Sequence, residues 1–273
     1  MPDALRLALG TLTVVRVPAP RQVTPRVAGA AMVLAPAVGV LLGVVAAAVL
    51  AVVELVGAHR GASPLVDLLG AVLAIGALAL LTRGLHLDGL ADTADGLGVK
   101  GTDDGNRERR LAVMRAPDVG AFGVTAVVLV LAVQVVALAT CASAGAGTAM
   151  AVTAVAAGRL AITWCCTPGV PSARPEGLGA AVAGTVPRGA AVLTTVVALL
   201  GVALLAWTTA GARPVAVTGS FVIAAVVGLG AGAVVLRRCV SRFGGLTGDV
   251  VGAVVEVTTA VVLVVAALAL GLR

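Results

Sequence analysis

The chain has 273 residues, of which 60% are hydrophobic and only 12% are charged, and its formal net charge is +6. A soluble globular domain carries about 25% charged residues, so this composition excludes a water-soluble fold. The basic excess does not indicate nucleic-acid binding, because the arginines follow the distribution that membrane topology predicts. We therefore expect an all-α polytopic integral membrane protein in the lipid bilayer, with no nucleic-acid partner.

The first apolar stretch, Leu5 to Val17, is too short for a membrane-spanning helix, which needs about 20 residues. It carries Arg6 and Arg16 and lacks a small-residue cleavage site, so it does not resemble a secretory signal. We expect an N-terminal interfacial or re-entrant helix that stays in the mature protein.

Seven longer apolar stretches follow, each able to cross about 30 Å of hydrocarbon as a helix. They cover residues 28–57, 64–82, 119–142, 148–166, 188–209, 215–236 and 250–272. Pro36 and Gly39 predict a tilt or a break in the first span. Small residues spaced as in Gly39–Gly43 and Gly228–Gly232 predict close helix packing. Without a repeat or a domain break, the sequence indicates one transmembrane domain over residues 1–273, with a polar active-site loop at about 83–118.

Positive charges are divided unevenly between the two sides of these spans. Of the 19 Lys and Arg residues, all but Arg60, Arg213 and Arg273 fall on one side, and Arg159 is counted among that majority. Because positively charged loops stay in the cytoplasm, this side is predicted to be cytoplasmic. The N-terminus would then lie on the cytoplasmic side of the cell (inner) membrane, and the C-terminus outside. Nine acidic residues would lie on or beside the cytoplasmic face: Asp88, Asp92, Asp95, Asp103, Asp104, Glu108, Asp118, Glu176 and Asp249.

An acidic cluster, Asp88, Asp92 and Asp95, lies in the polar segment after the second span. The spacing i, i+4, i+7 places the three carboxylates on one face of a helix. Their mutual repulsion would be relieved by a hard divalent cation such as Mg²⁺, which prefers oxygen ligands. A solvated acidic helix end is the alternative interpretation. His86, the nearest titratable base, could accept a proton or simply pair with a carboxylate.

Arginine-bearing patches lie on the same predicted side. Arg107, Arg110 and Arg115 follow the acidic cluster, and a guanidinium group matches phosphate oxygens in a bidentate way. Asp103 or Asp104 could cap the helix that contains these arginines. The alternative interpretation of any single arginine is a topology determinant on the positively charged side.

Two further patches combine arginine, acid and glycine. They are residues 172–179 around Arg174, and residues 237–249, which contain Arg242 and end at Asp249. Glu256, seven residues after Asp249, would lie two helical turns into the membrane, so it predicts a polar interior of the helix bundle. Walker and Rossmann phosphate loops do not occur in the sequence. Metal-assisted phosphoryl or pyrophosphate chemistry is one interpretation, and a cation-coupled transporter is another.

The chain resembles the cobalamin synthase family, adenosylcobinamide-GDP ribazoletransferase, over most of its length. The motifs that carry the resemblance are Gly84-Leu-His-Leu-Asp-Gly-Leu-Ala-Asp-Thr-Ala-Asp-Gly96, Arg107-Glu-Arg-Arg-Leu-Ala-Val-Met-Arg115 with Gly120-Ala-Phe-Gly123, Ala173-Arg-Pro-Glu-Gly-Leu-Gly179 and Gly244-Gly-Leu-Thr-Gly-Asp249. One departure is visible: the family usually has an acid directly after the Met-Arg pair, whereas here Ala116 and Pro117 precede Asp118. CDP-alcohol phosphotransferases and intramembrane prenyltransferases also hold Mg²⁺ with helical aspartates, but their spacings differ.

The resemblance implies an Mg²⁺-dependent enzyme that joins adenosylcobinamide-GDP to α-ribazole, or to α-ribazole 5′-phosphate, and releases GMP. The implied metal ligands are Asp88, Asp92, Asp95 and Asp249. Phosphate binding would fall to Arg107, Arg110, Arg115, Arg174 and Arg242, and the candidate proton acceptors are His86, Asp104 and Asp249. Association with a second copy, or with other enzymes of the corrinoid pathway, is a further expectation.

Overall fold

The computed structural model describes residues 1–58, 63–101, 104–211 and 213–271, and within these ranges it leaves out the side chains of Ala58 and Asp104. The described residues form helices and no β-strand, which confirms the predicted all-α fold. The helices are α1 (Asp3–Leu12), α2 (Pro25–Val33), α3 (Ala35–Ala58), α4 (Pro64–Leu81), α5 (Leu85–Gly98), α6 (Asp104–Val113), α7 (Ala121–Ser143), α8 (Gly147–Cys165), α9 (Leu178–Val182), α10 (Arg188–Thr209), α11 (Pro214–Phe243) and α12 (Gly248–Gly271).

Seven segments of the described chain are long and apolar enough to cross a membrane. The first, Pro25–Gly57, combines α2 with α3, and the others are α4, α7, α8, α10, α11 and α12. The predicted spans are thereby confirmed to within a few residues at most ends. The exception is α11, predicted to end at residue 236, which continues to Phe243 because its basic residues leave the apolar stretch without breaking the helix.

The first span is interrupted at Leu34, between α2 and α3. Pro36 has no backbone N–H, so it cannot donate a hydrogen bond to the carbonyl oxygen of Met32, four residues earlier. The Thr163 hydroxyl, on α8, donates to that Met32 carbonyl oxygen at 2.9 Å. The predicted break near Pro36 is therefore confirmed, and a neighbouring helix satisfies the carbonyl group that the proline leaves free.

Helix α8 occupies the centre of the bundle and packs against α3, α7, α10, α11 and α12. Within its membrane-spanning window 83% is buried in the protein, against 17% for α10. A Cβ atom at Gly39 would lie 2.9 Å from the Cα atom of Ala156, and one at Gly43 would lie 2.7 Å from that of Val152. These close approaches of α3 to α8 confirm the predicted small-residue packing.

Arg159 lies inside the membrane-spanning helix α8 and not in a loop between spans, so its inclusion in the count of loop charges was wrong. Its side chain is buried, and together with Gln134 and Glu256 it lines a small cavity of about 20 Å³. The Gln134 amide donates to the Glu256 carboxylate at 2.8 Å. A charged residue is tolerated here because α8 faces other helices, and an opposite charge lies across the cavity. The polar interior predicted from Glu256 is confirmed.

Helix α1 is ten residues long, or about 15 Å, which is half the thickness of the hydrocarbon core. Ala8 and Leu12 are buried against the bundle, and the Val14 N–H donates to the carbonyl oxygen of Leu81 at 2.7 Å. A short, non-spanning N-terminal helix is therefore confirmed, while its depth in the membrane stays a prediction.

Candidate active site

The acidic cluster is carried by α5, which begins directly after a tight turn. Arg83 and Gly84 both have positive φ, 56° and 65°, so a turn in the left-handed region separates α4 from α5. Leu90 and Ala91 are buried against the bundle, while Asp88 is exposed and Asp92 is half-buried. The segment 83–118, expected as a loop, therefore consists largely of α5 and α6, and the apolar face of α5 fixes the orientation of its acids.

Helix α5 packs closely against the first turns of α12. A Cβ atom at Gly89 would lie 2.6 Å from the carbonyl oxygen of Asp249, and one at Gly252 would lie 2.9 Å from that of His86. Only glycine allows the two backbones to approach this closely. This contact brings Asp249 to the acids of α5, from which it is far removed in sequence.

A cavity of about 290 Å³ opens where α5, α12 and the 172–179 segment meet. Its polar lining includes His86, Asp88, Arg174, Glu176, Thr247 and Asp249, and Leu12, Met32 and Ile162 contribute apolar walls. A guanidinium nitrogen of Arg174 lies 3.9 Å from the Asp249 carboxylate, which also accepts a hydrogen bond from the Thr247 hydroxyl at 3.1 Å. The acidic cluster and the patches at residues 172–179 and 237–249, which were predicted separately, thus all contribute residues to one cavity.

Asp92 lies in a field of negative charge. Burial, followed by the charges of Asp249, Asp88 and Asp95, raises the pKa of Asp92 to about 6. Among the described side chains, no three of the types His, Cys, Asp and Glu form a ready-made metal site. The arrangement still fits Mg²⁺, because this ion is usually held by one or two carboxylates, with water and substrate phosphates completing its shell. The Mg²⁺ assignment stays a prediction.

Asp95 is turned towards the beginning of α7. Its carboxylate oxygens accept hydrogen bonds from the backbone N–H groups of Gly120, at 2.7 Å, and Gly123, at 2.9 Å. These are donors of a helix N-terminus, where a negative charge is favourable. The pattern Gly120-x-x-Gly123 before an apolar span was the available sign of this contact, and sequence reasoning missed it. A metal-binding role for Asp95 stays a prediction.

His86 is buried beneath the cavity. Its side chain is 2% exposed, and neither ring nitrogen has a hydrogen-bond partner among the described residues. Burial, and then the positive charge of Arg159, holds the pKa of His86 well below its ordinary value. The imidazole is therefore neutral at neutral pH, and its role as a proton acceptor stays a prediction.

Three of the predicted phosphate-binding arginines, which we call the arginine brace, donate to backbone carbonyl groups. Arg107 donates to Phe243 at 2.8 Å, and Arg242 donates to Gly101 at 3.2 Å. Arg110 is buried and donates to Val99 at 3.1 Å and, in a closer contact, to Gly101. These bonds tie the end of α5, α6 and the end of α11 together. The arginine brace does not line the cavity.

Arg174 and Arg115 are placed differently. Arg174 lines the cavity and donates to the Leu111 carbonyl oxygen at 2.9 Å; burial, and then the charge of Arg115, lowers its pKa. Arg115 is exposed, and its side chain has no hydrogen-bond partner among the described residues, as expected of a group that can reach a ligand. Asp118 is also exposed. Asp103 and the side chain of Asp104 lie outside the described part of the structure, so their predicted capping and catalytic roles stay predictions.

Comparison with known proteins gives consistent results along nearly the whole chain. The family described as cobalamin-5-phosphate synthase matches residues 4–267. Adenosylcobinamide-GDP ribazoletransferase of Frankia casuarinae is 43% identical over 96% of this chain and 94% of its own length. The proteins of the same name from Nocardioides sp. and Pseudomonas aeruginosa (strain PAO1) are 41% and 38% identical over 96% and 98% of this chain, and over 97% and 100% of their own lengths. No solved structure gives a significant match.

Proposed function

Since this chain belongs to the cobalamin-5-phosphate synthase family, we propose that it catalyses the reaction for which its relatives are named. It would transfer the adenosylcobinamide phosphate group from adenosylcobinamide-GDP to α-ribazole or α-ribazole 5′-phosphate. The products would be adenosylcobalamin, or its 5′-phosphate, and GMP.

The observation that carries this proposal is the meeting of carboxylates and a guanidinium group around one cavity. Asp88, Asp249 and Arg174 come from three separate parts of the chain and line the same space of about 290 Å³. A pyrophosphate needs compensation of its negative charge, and the carboxylates need a cation between them and the substrate. A site with both groups therefore suits pyrophosphate chemistry.

In the proposed reaction a hydroxyl oxygen of α-ribazole forms a bond to the phosphorus atom that bears the cobinamide arm. The bond from this phosphorus to the bridging oxygen breaks, and GMP leaves with that oxygen. The hydroxyl proton passes to a base of the site, for which His86 and Asp249 line the cavity and Asp104 remains a further candidate. Arg174 and Arg115 are the residues best placed to bind the departing phosphate.

We assign Mg²⁺ binding to Asp88, Asp92 and Asp249. The surroundings of Asp92 support this assignment: after burial, which is the largest cause, the charges of Asp249 and Asp88 raise its pKa, and both of these carboxylates line the cavity. When bound, Mg²⁺ would neutralise charge on the pyrophosphate and on the leaving phosphate group.

We place this site on the cytoplasmic side of the cell membrane. Removing Arg159 from the topology count leaves the arginine distribution strongly one-sided, because Arg107, Arg110, Arg115 and Arg174 all lie at the site end of the bundle. Association with other copies or enzymes stays a prediction.

The substitution Asp92→Asn tests the proposal. GMP release from adenosylcobinamide-GDP and α-ribazole is measured with the purified chain in detergent at saturating Mg²⁺. We expect turnover to fall at least about 100-fold, since even outer groups of a metal site contribute about 10- to 100-fold, while the folded protein is retained. Asp118→Asn, at an exposed acid outside the cavity, is the matched control. Near-normal turnover of the Asp92 variant would contradict the metal role, and absence of GMP release by the unmodified chain would contradict the activity itself.

A further inference from the structure

A second and larger cavity lies on the flank of the bundle, between α8, α10 and α11. It is a groove of about 800 Å³ that shares no lining residue with the candidate active site. Most of its walls are apolar, including Ala161, Leu199, Val226 and Leu229. Gly230 and Ala233 lie on its exposed side, so the groove is open towards the surroundings of the bundle.

One end of this groove is basic. Arg188, the first residue of α10, and Arg237, near the end of α11, both line it, and the lining includes no Asp or Glu. Arg188 donates to the Pro168 carbonyl oxygen at 3.0 Å, which holds the guanidinium group at the mouth. The two positive charges lack a carboxylate partner within the groove, so the mouth is complementary to an anion.

The wall that α8 contributes contains a tryptophan of the kind found at membrane interfaces. The indole N–H of Trp164, the penultimate residue of α8, donates to the Thr195 hydroxyl of α10 at 2.9 Å. Tryptophan is enriched at the level of the lipid headgroups, where one part of its ring is apolar and the N–H is polar. Trp164 therefore indicates that the basic mouth lies at headgroup level.

The length of the groove corresponds to one leaflet of a bilayer. Its lining residues on α11 extend from Val226 to Ser241, a rise of about 22 Å at 1.5 Å per residue. Half of a bilayer of about 40–45 Å, with its headgroup regions included, has the same thickness. An amphiphile whose head lies at Arg188 and Arg237 would thus have its tail in the hydrocarbon core.

We propose that this groove binds one anionic phospholipid from the leaflet on the side of the candidate active site. Its phosphate group lies between Arg188 and Arg237, and an acyl chain runs along the apolar faces of α10 and α11. Guanidinium groups bind phosphate oxygens in a bidentate way, and basic pockets between transmembrane helices are suited to anionic lipid heads. A free phosphate would use only the mouth, whereas a phospholipid fills both the mouth and the apolar length.

Lipid retention by the full chain, measured by native mass spectrometry in detergent, tests this proposal without depending on turnover. With phosphatidylglycerol added, we expect one lipid per chain, retained at least about tenfold more tightly than phosphatidylcholine. Combined Arg188→Gln and Arg237→Gln should reduce phosphatidylglycerol retention to the level of phosphatidylcholine. Gly230→Phe, where an added Cβ meets no atom within 4 Å, should fill the groove and reduce retention of both lipids.

Matched controls lie on the same helix. Arg238→Gln removes an exposed charge beside Arg237 that does not line the groove, and Gly219→Phe adds a ring at another open position outside it. Both should retain phosphatidylglycerol as the unmodified chain does. Ala233→Phe is a second filling variant, to be used if Gly230→Phe does not give a folded chain.

Four results would overturn the proposal. If Arg238→Gln reduced phosphatidylglycerol retention as much as the double substitution does, the lipid would be held by general attraction to a basic surface. If the double substitution left retention unchanged, Arg188 and Arg237 would not bind the headgroup. Release of the lipid by inorganic phosphate at the lipid's own concentration would show a site for the anion alone. A second copy of the chain in place of the lipid would show an interface. Because lipid retention is measured directly, a chain without ribazoletransferase activity could still pass this test.

Discussion

The candidate cavity and the arginine brace lie at the same end of the bundle and use the same kind of residue in different ways. In the cavity, Arg174 lies beside the carboxylate of Asp249. In the brace, Arg107, Arg110 and Arg242 donate to backbone carbonyl groups. Arg174 also donates to a carbonyl group, that of Leu111, but it lines the cavity and so stays in reach of a ligand. The three arginines of the brace do not line the cavity, and their bonds only connect chain segments. Position relative to the cavity therefore separates the two roles, and the number of arginines nearby does not.

The largest expected difference between the two regions is a loss of activity when an arginine of the cavity is replaced. Arg174→Gln should lower kcat/KM for GMP release about 100-fold, or roughly 2.7 kcal/mol, because a charge that stabilises the departing phosphate is removed. Because the substitution also removes the bond to the Leu111 carbonyl oxygen, the thermal midpoint is measured in parallel and kcat/KM is compared per folded molecule. Arg238→Gln, at an exposed arginine away from the cavity, is the control. If the variant kept kcat/KM within twofold of the unmodified chain, Arg174 would not be the residue that binds the departing phosphate.

On the brace side the effect should appear in stability. Arg110→Gln removes a buried guanidinium group that serves the carbonyl groups of Val99 and Gly101, and bonds to charged groups contribute about 2 kcal/mol. We expect a lower thermal midpoint and nearly unchanged turnover per folded molecule. The exposed neighbour Arg109 supplies the control Arg109→Gln. If Arg110→Gln instead lost turnover while its thermal midpoint stayed unchanged, Arg110 would take part in binding or catalysis.

A smaller effect is expected where the acidic cluster meets α7. Asn at position 95 offers one acceptor oxygen to the two N–H groups of Gly120 and Gly123, and it removes a negative charge from a helix N-terminus. Asp95→Asn should therefore destabilise the chain by about 1 kcal/mol, measured by thermal unfolding. The Mg²⁺ concentration for half-maximal rate is measured in parallel. No change in that concentration would limit Asp95 to capping α7, and a clear rise would give it the predicted metal role as well.

The smallest expected effect is a pH dependence of the acidic cluster beside the cavity, because Asp92 is only partly buried and solvent screens its charge. Asp92 titrates at about 6 in the folded chain and at about 3.8 ordinarily, so the folded state binds the proton more readily than the unfolded state. Ionised Asp92 costs stability above pH 6, and this cost is relieved as the pH falls from 7 towards 4. Without Mg²⁺, the thermal midpoint of the unmodified chain should therefore rise relative to Asp92→Asn over this range. Parallel midpoints of the two proteins would contradict the raised pKa.

The spans were predictable from sequence because the thickness of the hydrocarbon core sets the length of an apolar run. The acidic cluster was predictable because its spacing is local to one helix. The partners of the arginine brace were not, since Arg107 and Phe243 are separated by 136 positions. Arg159 was misplaced because an apolar run looks the same whether its helix faces lipid or other helices. Long-range contacts and burial within the bundle are therefore what the sequence leaves open.

The central position of α8 has a consequence for how the chain enters the membrane during synthesis. This helix has a mean hydropathy of 1.3, against 2.3 to 2.6 for the other spans, and an arginine at a helix centre costs about 2.5–3.5 kcal/mol on insertion. By itself α8 partitions poorly into lipid. Its opposite charge, Glu256, lies on α12, which is made well after α8. The surroundings that stabilise α8 in the membrane are thus complete only when α12 has packed beside it.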